Sequence, residues 1–186
     1  GDIPAIESIH PTFGDIDLDG DIDLVFGDAS GKVYIIYALN SETNSSESYP
    51  IYPSEITNLN DLTYTGIDVG SYATPQLIDL NRDGLLDLVI GERSGLDSGT
   101  ILDGIYSGIN YFENTGLSNN VPNFSDETPL FENLINGNSV KSLGGINLMS
   151  PVYTTAYTTP HVFEHENNYH LAVGSENGKV YLFNNI

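Results

Sequence analysis

Asp15-Ile-Asp17-Leu-Asp19-Gly20-Asp21-Ile-Asp23 runs straight into Leu24-Val-Phe-Gly27, and it has a second copy further along the chain. That copy is Asp79-Leu-Asn81-Arg-Asp83-Gly84-Leu85-Leu-Asp87, running into Leu88-Val-Ile-Gly91. Both place oxygen side chains at positions one, three, five and nine, and glycine at six. Asp-Gly clusters alone make polar turns. Two copies with matching oxygens ask for more, because carboxylates packed together repel unless a cation offsets them. A hard cation such as calcium takes about six to eight oxygens, and alternate loop positions can converge on one centre. Glycine at position six permits the sharp turn. Two calcium sites are therefore expected. One uses Asp15, Asp17, Asp19, the carbonyl of Asp21, and Asp23; the other uses Asp79, Asn81, Asp83, the carbonyl of Leu85, and Asp87. Position twelve is Phe26 or Ile90 inside an apolar run, so these are not EF-hand loops, which need a Glu there. The interposed Ile16, Leu18, Ile22, Leu80 and Leu86 are expected to turn toward a core.

Around the loops lies a repeat. His10-Pro-Thr-Phe-Gly-Asp15, Thr74-Pro-Gln-Leu-Ile-Asp79 and Thr159-Pro-His-Val-Phe-Glu164 align, each with Pro four residues before the acid. Each apolar run then closes on glycine, at Gly27, Gly91 and Gly174. Gly31-Lys-Val-Tyr-Ile-Ile-Tyr37 matches Gly178-Lys-Val-Tyr-Leu-Phe183, and glycine-bearing loops between β-branched and aromatic runs read as hairpins. The middle copy is interrupted at 96–107 and resumes at Gly108-Ile-Asn-Tyr-Phe112. Segments 38–60 and 113–145 are rich in Asn, Ser and Pro. They read as loops with one further strand each, near Leu62–Ile67 and Pro129–Ile135. No helical period is sustained anywhere.

Short antiparallel strands repeating around a unit of about four describe a β-propeller blade. The expectation is an all-β propeller, or part of one, with approximate repeats 1–49, 50–116 and 117–186. Closed propellers use about four to eight blades. Three repeats therefore predict a segment of a longer chain, or one completed by a partner chain.

Composition narrows the partners. The 186 residues hold 26 Asp and Glu against 5 Lys and Arg, a formal charge of −21. Nothing so acidic neutralises phosphates, which argues against nucleic acid and against anionic membrane surfaces. With 12 Tyr and 7 Phe the chain can still build cores. Cysteine is absent, so a staple other than disulfides is needed. No apolar stretch is long enough to span a bilayer.

The Asp-x-[Asp/Asn]-x-Asp-Gly-x-x-Asp loops followed by Leu-Val-φ-Gly resemble FG-GAP/VCBS repeats, the kind also found in the integrin α-subunit propeller. The Tyr-Phe-Glu-Asn-Thr-Gly run at 111–116 resembles copies in secreted proteins of the Bacteroidetes. The resemblance implies a propeller, loop-bound calcium and a secreted or cell-surface setting, but no single activity. The function expected is a non-enzymatic binding or scaffold module for adhesion, or for glycan or protein recognition. The alternative is an accessory propeller of an extracellular glycan-degrading lyase or hydrolase.

Catalytic patterns are otherwise missing. Gly174-Ser-Glu-Asn-Gly178 has Glu176 where a nucleophile elbow needs Ser. His161, His165 and His170 lie near Glu164 and Glu166, but Tyr169 stands where a zinc-protease helix needs its second His. Glu92, Asp97, Asp103 and Glu113 are acids on loops, most simply read as solvated surface. The third repeat's loop is two residues shorter and lacks the matching Gly and Asp, so no calcium is expected there.

Overall fold

The computed structural model describes residues 6–38, 62–93, 108–125, 131–135, 138–143, 146, 148, 156–184 and 186. Across them run fourteen antiparallel strands in five small sheets, with no helix among the described residues. The first sheet has the order β1(His10–Gly14), β2(Asp23–Gly27), β3(Lys32–Ile36), β4(Thr63–Asp68). The second is β5(Thr74–Ile78), β6(Asp87–Gly91), β7(Ile109–Phe112). Two-stranded hairpins follow: β8(Asn114–Ser118) with β9(Val121–Phe124), and β10(Phe131–Ile135) with β11(Asn138–Ser142). The last sheet is β12(Thr159–His165), β13(Asn168–Gly174), β14(Val180–Asn184).

The three aligned segments fold alike down to register. The residue before each Pro pairs with the closing glycine: His10 with Gly27, Thr74 with Gly91, Thr159 with Gly174. Just after each glycine the chain ties back to its own repeat. Ala29 N–H donates to the Glu7 carbonyl at 2.9 Å, Arg93 N–H to Ser71 at 3.0 Å, and Glu176 N–H to Ala156 at 2.9 Å. A left-handed residue precedes each first strand, Ser8, Tyr72 and Tyr157, with φ of 56°, 53° and 40°.

Successive sheets pack face on face. Val25, Val33 and Ile35 of the first sheet share one core with Leu77, Leu88 and Ile90 of the second. Val89, Ile109 and Tyr111, on the opposite face of the second sheet, share another with Val162, Leu171 and Val173 of the third. The closing glycines make the approach possible. A Cβ on Gly27 would run into the Ala73 backbone, and one on Gly91 into the Thr158 backbone.

The expected strand near Leu62–Ile67 is β4, and the one near Pro129–Ile135 is β10. Segment 113–145 differs from the loop read there: it holds four strands, β8 to β11. The β8–β9 turn is Asn119-Asn120, with φ of 53° and 62°. Asn tolerates that left-handed region, so a composition that suggested loop makes a tight hairpin instead. β4 falls within the approximate repeat 50–116 but hydrogen-bonds to β3 of the first sheet. Residues 39–61 and 94–107, which include Asp97 and Asp103, lie outside the described residues.

Candidate metal centres

Each acidic loop connects the first two strands of its sheet, and the two loops are built from the same hydrogen bonds. Asp19 N–H donates to Asp15 Oδ1 at 3.1 Å, and Asp83 N–H to Asp79 Oδ1 at 3.0 Å. Gly20 N–H donates to Asp15 Oδ2 at 3.1 Å, and Gly84 N–H to Asp79 Oδ2 at 3.0 Å. Asp19 N–H also meets Asp17 Oδ1, as Asp83 N–H meets Asn81 Oδ1. Asp21 N–H meets Asp19 Oδ1, as Leu85 N–H meets Asp83 Oδ1. Left-handed φ recurs at position four (Leu18 61°, Arg82 64°) and at the glycine (Gly20 95°, Gly84 90°). These turns curl the chain so that the side chains at positions one, three and five face inward together.

In the first loop Asp15, Asp17 and Asp19 each bring an oxygen within 4.8 Å of the other two, a spacing that could hold a metal ion. The Asp17 carboxyl is pushed up to about 6, first by burial and then by the charges of Asp23, Asp19 and Asp15. Two buried polar atoms here lack a hydrogen-bond partner, Asp21 Oδ2 and the Tyr37 hydroxyl. Burial, with the charges of Asp17 and Asp23, pushes the Tyr37 hydroxyl up to about 12. A crowded, partly desolvated carboxylate set with unmet polar atoms fits a cation.

Position nine works differently from one, three and five. Asp23 and Asp87 are buried and open the second strands. Asp23 Oδ2 accepts from Ile16 N–H at 3.0 Å and Oδ1 from Ala38 N–H at 2.9 Å. Asp87 Oδ2 accepts from Leu80 N–H at 3.0 Å and Oδ1 from Asn114 N–H at 2.9 Å. Each residue thus ties both ends of its loop and the end of the third strand together, and burial raises both carboxyls against those bonds. A carboxylate oxygen keeps a further lone pair after one such bond.

Of the interposed apolar residues, Ile16 is buried and Leu80 and Leu86 pack against the cores. Leu18 and Ile22 are corrected: both are exposed. Leu18 sits at the left-handed position four on the outside of the turn, where no sheet covers it.

Two neighbours of the loops, Tyr111 and Glu113, have a part in them that the sequence reading did not assign. Tyr111 donates its hydroxyl to Asp87 Oδ2 at 2.9 Å, and burial with that bond raises its pKa. Glu113 Oε1 accepts from Asn81 Nδ2 at 3.1 Å. Register places Glu113 where the first repeat has Tyr37, one residue past the third strand. The Tyr-Phe-Glu-Asn run at 111–114 is thus the wall of the second loop. Its signal was its place at the end of the strand that resumes at Gly108, the place Tyr37 holds at the end of β3.

The third repeat replaces the loop by a two-residue turn, Glu166-Asn167, with φ of 50° and 60°. Its hairpin grips the second loop. Arg82 Nη2 donates to Glu164 Oε1 at 3.0 Å and to the Asn167 carbonyl at 2.7 Å, and its guanidinium lies 4.8 Å from the Tyr169 ring centre. Tyr169 donates its hydroxyl to the Asp79 carbonyl at 2.7 Å. Glu164, aligned with the first ligand of the other repeats, is an ion-pair partner. His165 and His170 rings are 6.1 Å apart and His170 stacks on Phe163. Among the described residues no group of three with histidine converges as Asp15, Asp17 and Asp19 do. Glu92 is buried, with its carboxylate accepting from Gly108 N–H.

No protein-family model, curated protein or solved structure matches the chain.

Proposed function

We propose that this chain is a calcium-stapled β-propeller segment of the FG-GAP/VCBS kind, serving as a non-enzymatic binding or scaffold module of a secreted or cell-surface protein. The observation that carries the reading is the identity of the two loops, hydrogen bond for hydrogen bond, around alternating oxygen side chains. Calcium suits an all-oxygen donor set supplied by a flexible loop better than a softer metal does. Asp15, Asp17, Asp19, the Asp21 carbonyl and Asp23 would hold one ion. Asp79, Asn81, Asp83, the Leu85 carbonyl and Asp87 would hold the other. The ion's work is structural: it offsets repelling carboxylates and locks the turn that joins the first two strands. Repeated sheets with exposed acidic loops suit recognition of a glycan or a surface protein, with calcium as the obligatory partner.

Calcium removal tests the reading. Each occupied site contributes about 2.7 kcal/mol at a hundredfold excess over its dissociation constant. For a chain of this size that is roughly 5–10 °C of melting temperature per site. Chelator should lower the melt by that amount and added calcium should restore it, with two ions per chain by calorimetry. An unchanged melt in chelator, with no calcium bound, would falsify the reading.

A further inference from the structure

We propose that Arg93, with Tyr72 and Tyr157, forms a binding site for the carboxylate of an acidic sugar. The proposal rests on the glycan-recognition reading above and gives it a ligand class and a place. Arg93 stands two residues past the closing glycine of the second sheet, and its backbone is fixed from both sides. Its N–H donates to the Ser71 carbonyl at 3.0 Å, and its carbonyl accepts from Ala156 N–H at 3.0 Å. The residue after each of these partners is a left-handed tyrosine, Tyr72 with φ of 53° and Tyr157 with φ of 40°. Both turns bring a ring to the Arg93 side chain. The guanidinium carbon lies 5.5 Å from the Tyr72 ring centre and 4.9 Å from that of Tyr157, and the two rings meet edge to face at 4.9 Å. Tyr72 precedes β5 and Tyr157 precedes β12, whereas the second acidic loop follows β5. The cluster therefore lies at the opposite end of the strands from that loop.

The fold does not require this cluster. The first repeat ties its backbone in the corresponding way, Ala29 N–H to the Glu7 carbonyl and Tyr72 N–H to the Ala29 carbonyl. There Ala29 holds the place of Arg93, and Ser8 the place of Tyr72. A bulky residue at positive φ is an outlier, and such strain is kept where a site uses it. The arginine is equally unexplained as a charge. Of the two arginines, Arg82 answers Glu164, but among the described residues no carboxylate pairs with Arg93, in a chain of charge −21. Contact with an aromatic ring uses the face of a guanidinium and leaves its in-plane N–H donors unused. Arg93 Nε is buried with no acceptor, a state that folded chains leave uncorrected only rarely.

The chemistry of the missing acceptor follows from these groups. A planar carboxylate takes two parallel N–H bonds from the guanidinium fork, one of them from Nε. Its approach to Nε parts the two tyrosines. Their rings then offer apolar faces to the C–H side of a pyranose, and their hydroxyls pair with its hydroxyls. Burial and the charge of Glu176 raise the Tyr157 hydroxyl against the pull of Arg93, so a second carboxylate lies beside the same ring. Sugar hydroxyls can donate to Glu176. The side chain of an acidic peptide has no such donor, and the peptide brings further negative charge to an acidic chain. An acidic sugar is therefore the occupant chosen.

The test is calorimetric titration of the full chain, in calcium and in physiological salt, which screens its acidic charge. The probes are methyl glucuronide, methyl glucoside and acetylglutamate amide. The glucoside carries a hydroxymethyl group in place of the carboxylate, and the glutamate carries the carboxylate without the sugar. The glucuronide should bind at least about tenfold more tightly than either, as a charged hydrogen-bond pair requires. Arg93→Lys keeps the charge and loses the fork, and should weaken glucuronide binding by at least about tenfold. Lys32→Ala removes one positive charge elsewhere and should leave it unchanged. An unchanged calcium-dependent melt checks that these variants fold. Tyr157→Phe keeps the ring against Arg93 and should weaken binding several-fold, which carries the test if the lysine variant is unstable. The proposal is overturned by absent binding at millimolar glucuronide, by equal binding of the glucoside or the glutamate, or by binding undiminished in Arg93→Lys. Equal binding of the glucoside leaves the glycan reading standing without this site. The calcium stoichiometry is read separately, so the sugar site can fail while the calcium reading stands.

Discussion

Tyr111 and Tyr37 each flank an acidic loop, and of their two hydroxyls only that of Tyr111 has an acceptor. Removing a hydroxyl that satisfies a buried carboxylate costs about 1–3 kcal/mol, whereas removing an unmet one is nearly neutral. Urea denaturation in chelator should show Tyr111→Phe destabilised in that range and Tyr37→Phe unchanged or slightly more stable. A large loss for Tyr37→Phe would mean that its hydroxyl has a partner after all. The central ligands behave more simply. Asp19→Ala and Asp83→Ala should each remove one calcium from the stoichiometry, while Glu164→Gln should leave it at two, because Glu164 answers Arg82. Calorimetric titration separates these outcomes, and a third ion in the native chain would overturn the expectation that the third repeat holds none.

Between elements, the second loop and the third hairpin share a clasp that joins residues 82 and 164. As an exposed ion pair, Arg82 with Glu164 contributes little by itself. The clasp matters through Tyr169, whose hydroxyl donates to the carbonyl of Asp79, the first proposed ligand of the second loop. Tyr169→Phe should therefore weaken calcium at the second site and spare the first. Arg82→Ala should do the same and also raise hydrogen exchange across β12 and β13. Equal weakening at both sites would show that the clasp stabilises the fold in general and does not position this loop. Sequence comparison among the repeats marked the third loop as short and different, but not what the difference serves. Glu164 and Arg82 are far apart along the chain, and no local pattern joins them.

For the assembled sheets, the closing glycines separate covered from open faces. Gly91→Ala should destabilise by about 2–4 kcal/mol, because its Cβ meets fixed Thr158 backbone. Gly174→Ala should cost less than about 1 kcal/mol in the single chain, since only the Thr159 hydroxyl must turn aside. Thermal melts of the two variants compare them directly, and equal losses would mean that Gly174 is as closely covered as Gly91. Read along the chain alone, the acidic loops, the three aligned hairpins and the all-β class were evident. Each depends on local spacing: oxygens at alternate positions, glycine where φ must be positive, apolar residues alternating along short strands. Strands β8, β9 and β11 escaped, because an Asn-Asn turn such as that of β8–β9 and a loop share one composition, whereas β10 was expected. The exposure of Leu18, Ile22, Phe13 and Leu182 and the wall formed by Tyr111 and Glu113 were settled by packing. Burial is a property of which surface meets which, and a repeat pattern that is the same in every copy cannot say which copy has a neighbour.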